Sequence, residues 1–166
     1  ITLSEFGARV YFRDLEEESI EIDGINVVTK LLSHPGKCLG YRINYNERSV
    51  CYITDNELFK ETSDFYSPHY EKKLAEFCRG TDALITDTTY TDEEYETKVG
   101  WGHSCISKVV QLADMSEVKT LYLFHHDPDQ SDTDIDAKHD KAMELLVNRK
   151  SSVKLETPKE GDCFKI

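Results

Sequence analysis

The sequence predicts a layered sheet protein, α/β or α+β in class, with helices packed on the faces of the sheet. Two observations carry this prediction. Apolar residues alternate with polar ones between turn residues in the first half, whereas strand-like runs alternate with segments of helical period in the second half. A third observation limits the size: 166 residues with 39% hydrophobic content support a single domain with one modest core. Ten per cent aromatic residues and well-spaced apolar runs are not a disordered composition.

The elements follow in order. Arg9 to Phe12 and Ser19 to Ile22 roughly alternate, and Glu16-Glu17-Glu18 between them reads as a solvated turn, so a hairpin is predicted. Asp23-Gly24 is a strong hairpin signal and opens a strand, Ile25 to Leu32, that ends at Ser33-His34-Pro35-Gly36. Strands Leu39 to Tyr45 and Ser49 to Thr54 flank Asn46-Glu47-Arg48, and the second runs into Asp55-Asn56-Glu57. The period then changes. Ser67-Pro68 starts a helix to Cys78, with Tyr70, Leu74, Phe77 and Cys78 on its apolar face. Strand Ala83 to Thr86 ends at Asp87. Thr91 with Glu94 makes a capping box. Ser104 to Met115 forms a helix, strand Thr120 to Phe124 ends at His125-His126-Asp127-Pro128, and a helix Asp134 to Arg149 and a last strand Ser152 to Leu155 follow. The sequence has no internal repeat, no linker between two domains, and no apolar run near the ~18 residues a spanning helix needs.

With 20 basic and 32 acidic side chains the formal charge is −12, which argues against nucleic acid as a partner. The five cysteines form no Cys-x-x-Cys pair, and an odd, scattered set fits reduced thiols and a cytoplasmic location. The run Asp127, Asp129, Asp132, Asp134, Asp136 is not a calcium loop, because glycine is missing at its sixth position and Lys138 stands where a bidentate Glu belongs. It reads as an acidic loop entering a helix. Cys105 beside His103 reads as a buried thiol, since adjacent helical residues do not face each other. No Gly-rich phosphate loop and no Gly-x-Ser-x-Gly elbow is present.

What remains is a set of polar residues at predicted strand ends, where ligands and metals collect. His34, Asp55 and His125 offer imidazole nitrogen and carboxylate oxygen, the donors that Zn, Mn or Fe take in hydrolytic sites, and each could equally be a satisfied turn residue. His103 lies on a turn flanked by Gly100 and Gly102, just before a helix. It could pass a proton to a leaving oxygen if Asp87 orients it, or the turn could be plain, with Ser104 as the helix cap. Tyr41, Tyr90 and Trp101 are aromatic residues that could stack on a ring or fill the core.

These stretches together carry a resemblance. Ser33-His34-Pro35-Gly36, Gly40-Tyr41-Arg42-Ile43, Tyr52-Ile53-Thr54-Asp55, Asp82 to Asp87, Gly100-Trp101-Gly102-His103-Ser104 and Leu121 to Pro128 resemble, in the same order, the C-terminal half of a metallo-β-lactamase-fold hydrolase. The branch that they resemble includes ribonuclease Z and bacterial cyclic-phosphate phosphodiesterases. The resemblance implies an α+β fold, half of a four-layer αββα sandwich with helices on one face of a mixed sheet. It implies that His34 binds one metal, Asp55 bridges two, His125 binds the other, His103 donates a proton and Asp87 supports it. Of the neighbours His125 and His126, placed on a strand and so facing opposite ways, it favours His125.

The family's His-x-His-x-Asp-His motif is not in this sequence. The resemblance therefore implies that residues 1–166 form the C-terminal part of one domain, inactive alone and completed by a missing segment or a second chain. A half sandwich would expose a sheet face, which a homodimer could also cover. The implied cofactors are two divalent ions, zinc first, with manganese or iron as alternatives. The implied reaction is attack by a metal-bound hydroxide on a small phosphodiester or cyclic nucleotide, with ribonuclease Z-like RNA processing and a non-catalytic interaction domain as the alternatives.

Overall fold

The computed structural model describes residues 7–166. Seven strands form one sheet in sequential order: β1 (Ser19–Ile22), β2 (Ile25–Leu31), β3 (Leu39–Tyr45), β4 (Arg48–Ile53), β5 (Ala83–Asp87), β6 (Thr120–Phe124) and β7 (Lys154–Glu156). β1 to β4 are antiparallel neighbours, with two-residue turns between β1 and β2 and between β3 and β4 and a longer connection between β2 and β3, and β4 to β7 are parallel. Each parallel step needs a crossover. These are α1 (Pro68–Cys78), the pair α2 (Asp92–Tyr95) and α3 (Ile106–Met115), and α4 (Asp132–Arg149). Crossovers of one hand between strands in sequential order all fall on the same side of a sheet.

The core lies on that side. Cys51, Leu84 and Leu121 stand in register across β4, β5 and β6, and they are buried against Leu74 and Cys78 of α1, Val109 and Val110 of α3, and Ala142 and Leu146 of α4. Two of the helices begin with the caps that the sequence predicts, and α3 begins at Ile106, two residues after the predicted Ser104. Ser67 caps α1 ahead of Pro68, and Thr91 with Glu94 closes the capping box of α2. α4 starts earlier than predicted, because Ser131 and Asp134 form a second capping box that draws Asp132 and Thr133 into the first turn.

The opposite face carries Tyr41, Ile43, Tyr52 and Phe124, with Ile43, Tyr52 and Phe124 exposed. It is covered at β6, where Phe164 stands edge-on to Tyr122 at 5.1 Å, and at Thr29 of β2, which is buried against the Glu16 and Glu18 carbonyls. Among the described residues no second sheet packs there.

One predicted element is overturned. Arg9 to Phe12 forms no strand, and β1 pairs with β2 through Asp23-Gly24 instead. Val10, Tyr11 and Phe12 are exposed, so their alternation has no surface to bury against. Alternation predicts a strand only where one face finds a partner.

Candidate active site

β2 is parallel to β4, β5 and β6, so the carboxyl ends of all four strands meet at one edge of the sheet. His34 follows β2 by three residues, Asp55 follows β4 by two, Asp87 ends β5 and His125 follows β6 directly. All four polar residues predicted at strand ends arrive there, with His103 beside them. The His103 ring stacks on that of His125 at 5.0 Å and meets His34 edge-on at 5.9 Å.

Two of these residues are aimed by the backbone. Asp55 has φ +55° and His125 has φ +57°, a left-handed conformation that L-residues take at a cost. Each turns the chain sharply where its strand ends. This corrects the placement of His125 and His126 on a strand. β6 stops at Phe124, the left-handed step sends His125 toward Asp55, and the His126 ring goes inward with neither nitrogen hydrogen-bonded among the described residues. Burial lowers the His126 pKa to about 4.

The two carboxylates differ. Asp87 is fully buried and accepts from five donors: His103 Nδ1 at 2.7 Å, Asn56 N at 3.2 Å, Thr89 N at 3.1 Å, Thr89 Oγ1 at 2.8 Å and Ser104 N at 3.4 Å. An ionised carboxylate has about four lone-pair positions, so Asp87 has none left to offer. The Asp55 side chain is 41% exposed and accepts no hydrogen bond among the described residues. Its Oδ1 lies 3.4 Å from His125 Nε2 and 4.0 Å from His103 Nδ1.

The imidazoles are held from behind. His34 Nδ1 sits in the Gly36 turn, where Gly36 N–H donates to it at 3.1 Å in one tautomer and the Gly36 carbonyl, at 3.2 Å, accepts its proton in the other, which leaves the Nε2 lone pair free. His125 Nδ1 lies 3.2 Å from Thr89 Oγ1, and in that tautomer its Nε2 lone pair faces Asp55. Such backbone and hydroxyl contacts are the usual support of metal-bound histidines. In that tautomer the two electron-rich atoms, 3.4 Å apart, repel unless a proton or a metal cation lies between them. About 3.4 Å is also the separation of two donors at roughly 2.0–2.1 Å from one tetrahedral ion. The donor set fits a metal.

His103 is held differently. Its hydrogen bond to Asp87 raises its pKa above the ordinary imidazole value, opposing the effect of burial. The bond occupies Nδ1 and leaves Nε2 as the nitrogen that can exchange a proton. Ser104 does not cap α3. Its hydroxyl donates to the Asn56 carbonyl at 2.5 Å and accepts from Leu58 N at 3.0 Å, tying the His103 turn to the segment after β4.

The sequence did not single out Glu57. It is 1% exposed, and its carboxylate accepts from Gly100 N and Tyr95 Oη at 2.7 Å and from Gly102 N at 2.8 Å. It therefore fixes the whole Gly100-to-Gly102 turn. Gly102, at φ +94°, lies so close to His34 that a Cβ would stand 2.3 Å from the ring. A buried Glu two residues after a site Asp leaves no signal until the turn it binds is visible. Of the three aromatic candidates, Tyr90 is buried with its ring 6.1 Å from that of His103, Tyr41 lies on the open sheet face, and Trp101 is 58% exposed under the Lys98 ammonium.

Known proteins agree with this architecture. A ribonuclease Z of Thermoplasma acidophilum is 39% identical over 64 residues, 38% of this chain and 20% of that protein. The metallo-beta-lactamase fold protein YhfI from Bacillus subtilis superposes with a TM-score of 0.62 at 15% identity, covering 85% of this chain and 50% of YhfI. A diphosphatase from the PhnP family superposes with a TM-score of 0.52 at 21% identity, over 86% of this chain and 45% of that one. In all three the match spans half or less of the other protein's length. The family model of the beta-lactamase superfamily domain matches residues 4–126, most of the sequence, and the chain belongs to that superfamily.

Proposed function

We propose that this chain is the C-terminal part of a metal-dependent hydrolase acting on a small phosphodiester, with His34, Asp55 and His125 as metal ligands and His103 as proton donor. The observation that carries the reading is the division of labour between the carboxylates. Asp55 is exposed and unsatisfied beside two imidazoles, whereas Asp87 is buried and spent on orienting His103. Three ligands are too few for two ions. The remaining ligands come from a preceding half of the domain, which packs on the open face of β3, β4 and β6 and completes an αββα sandwich. The ions are divalent, with zinc first and manganese or iron as alternatives.

When bound, the ions supply an activated water and neutralise charge on the phosphate oxygens. The chain's own residues do the rest. Asp55, His34 and His125 hold the ions at the strand ends. Asp87 keeps His103 oriented and favours its protonated form, so that Nε2 can protonate the leaving oxygen as the ester bond breaks. Glu57 and Gly102 fix the turn that presents His103 and abuts His34.

The match to ribonuclease Z favours a second reading, RNA processing. A net charge of −12 weighs against it, because RNA-binding surfaces are basic. The test is turnover of a 2′,3′-cyclic nucleotide, whose alkoxide leaving oxygen needs a proton, and of a precursor RNA by the full-length, metal-loaded protein and its His103→Ala variant. The reading expects hydrolysis of the small ester, lowered about 100-fold or more in the variant at unchanged metal content. Equal turnover by the variant, or action on RNA alone, contradicts it.

A further inference from the structure

Beyond His34 the site opens into a groove that the metal and proton chemistry leaves unused. It holds about 410 Å³ and is lined by Leu32, Ser33, Pro35, Glu57, Phe59, Phe65 and Gly100. Through Leu32, Ser33, Phe59 and Phe65 it continues into a second cleft of about 440 Å³ between β2 and the start of α1. Both volumes fall in the range of small-molecule sites, roughly 300–1,000 Å³.

The Phe59 and Phe65 rings lie 5.5 Å apart and tilted by 41°, and Phe65 is 67% exposed. A lone exposed Phe is ordinary. A pair of rings lining a cleft that is continuous with a metal-ligating histidine is a platform for another ring. The carboxylates along the groove are engaged. Glu17 is paired with Lys30 at 2.7 Å and Glu71 with Lys108, and Lys73 and His69 also line the second cleft. Glu57, which lines the first, is buried and accepts from Gly100 N, Gly102 N and Tyr95 Oη.

We propose that this groove seats the group next to the scissile phosphate, and that this group is a planar aromatic or heteroaromatic ring stacked on Phe65 and Phe59. The proposal rests on the phosphodiester reading and specifies its substrate class. The probes are phenylphosphonate and methylphosphonate, whose binding to the full-length, metal-loaded protein is read by calorimetry without turnover. Stacking worth one aromatic contact predicts about tenfold tighter binding of the phenyl compound. In Phe65→Ala the preference falls to about threefold or less, with methylphosphonate affinity and far-ultraviolet circular dichroism unchanged. Equal binding of the two probes by the wild type overturns the ring platform alone, as does a phenyl preference that survives Phe65→Ala. Binding of neither overturns the phosphodiester reading and the platform with it.

Discussion

Replacing Gly102 by alanine places one carbon against His34, and the neighbouring turn supplies its own control. Gly100 and Gly102 have nearly the same φ, +87° and +94°, and both donate to Glu57. An alanine at either position carries the same left-handed cost, about 1–2 kcal/mol. Only their surroundings differ. A Cβ on Gly100 meets nothing within 4 Å, whereas a Cβ on Gly102 meets His34 Cδ2 at 2.3 Å, His34 Nε2 at 2.8 Å and Pro35 Cδ at 2.8 Å. Ordinary contact begins near 3.4 Å, so the His34 ring must retreat by 3.4 − 2.3 = 1.1 Å. Metal–ligand distances tolerate about 0.2 Å. Gly102→Ala should therefore weaken zinc binding at least tenfold, while Gly100→Ala loses only about 1–2 kcal/mol of folding stability. Zinc competition with a chelator, alongside urea unfolding of the same full-length proteins, separates the two effects. Equal zinc affinity in the two variants would refute the claim that His34 is a ligand held against Gly102.

Three further outcomes follow from the same geometry. Glu57→Gln sets an amide NH₂ against a backbone N–H, so it should cost about 2 kcal/mol and speed hydrogen exchange at Gly100 and Gly102; unchanged protection of those amides would contradict its role. At the opposite end of the sheet, the Lys119 ammonium leads in lowering the Asp82 pKa to about 2, helped by Ser49 N and Arg48. A folded-state pKa below the unfolded value gives stability that is present above about pH 4 and is lost as pH falls toward 2. Asp82→Asn should thus cost about 1–2 kcal/mol at pH 7, less than the shift alone gives because Lys119 and Arg48 are exposed, and the difference should vanish near pH 2. Brief alkylation of the native chain should label exposed Cys163 first and spare Cys105, whose buried thiol is pushed up to about 11; early loss of Cys105 in a mass spectrum would show that its burial is wrong.

Much of the fold is legible in the sequence because its signals are local. Ser67-Pro68 and Thr91 with Glu94 mark helix starts, and Asp23-Gly24 and Asn46-Glu47 mark turns. Arg9 to Phe12 shows where local pattern fails, since the residues alternate but nothing packs against them. The candidate site residues are marked in the sequence by their places at predicted strand ends and, for His103, by a Gly-flanked turn. Their division of labour is not, because the difference between Asp55 and Asp87 lies in burial and in donors drawn from Asn56, Thr89, His103 and Ser104. Glu57 was invisible for the same reason: its partners are backbone N–H groups some forty residues away. The left-handed turns at Asp55 and His125 belong to residue types that only the assembled sheet forces into that conformation.

The most direct test of the central claim is the metal content of the full-length protein and its Asp55→Ala variant, by elemental analysis after gel filtration. Asp55 supplies the exposed carboxylate between His125 and His103. Near two divalent ions in the wild type, with at least one lost from the variant at unchanged circular dichroism, is the predicted result. Full metal content without Asp55, or no divalent ion in the wild type after reconstitution, would contradict it.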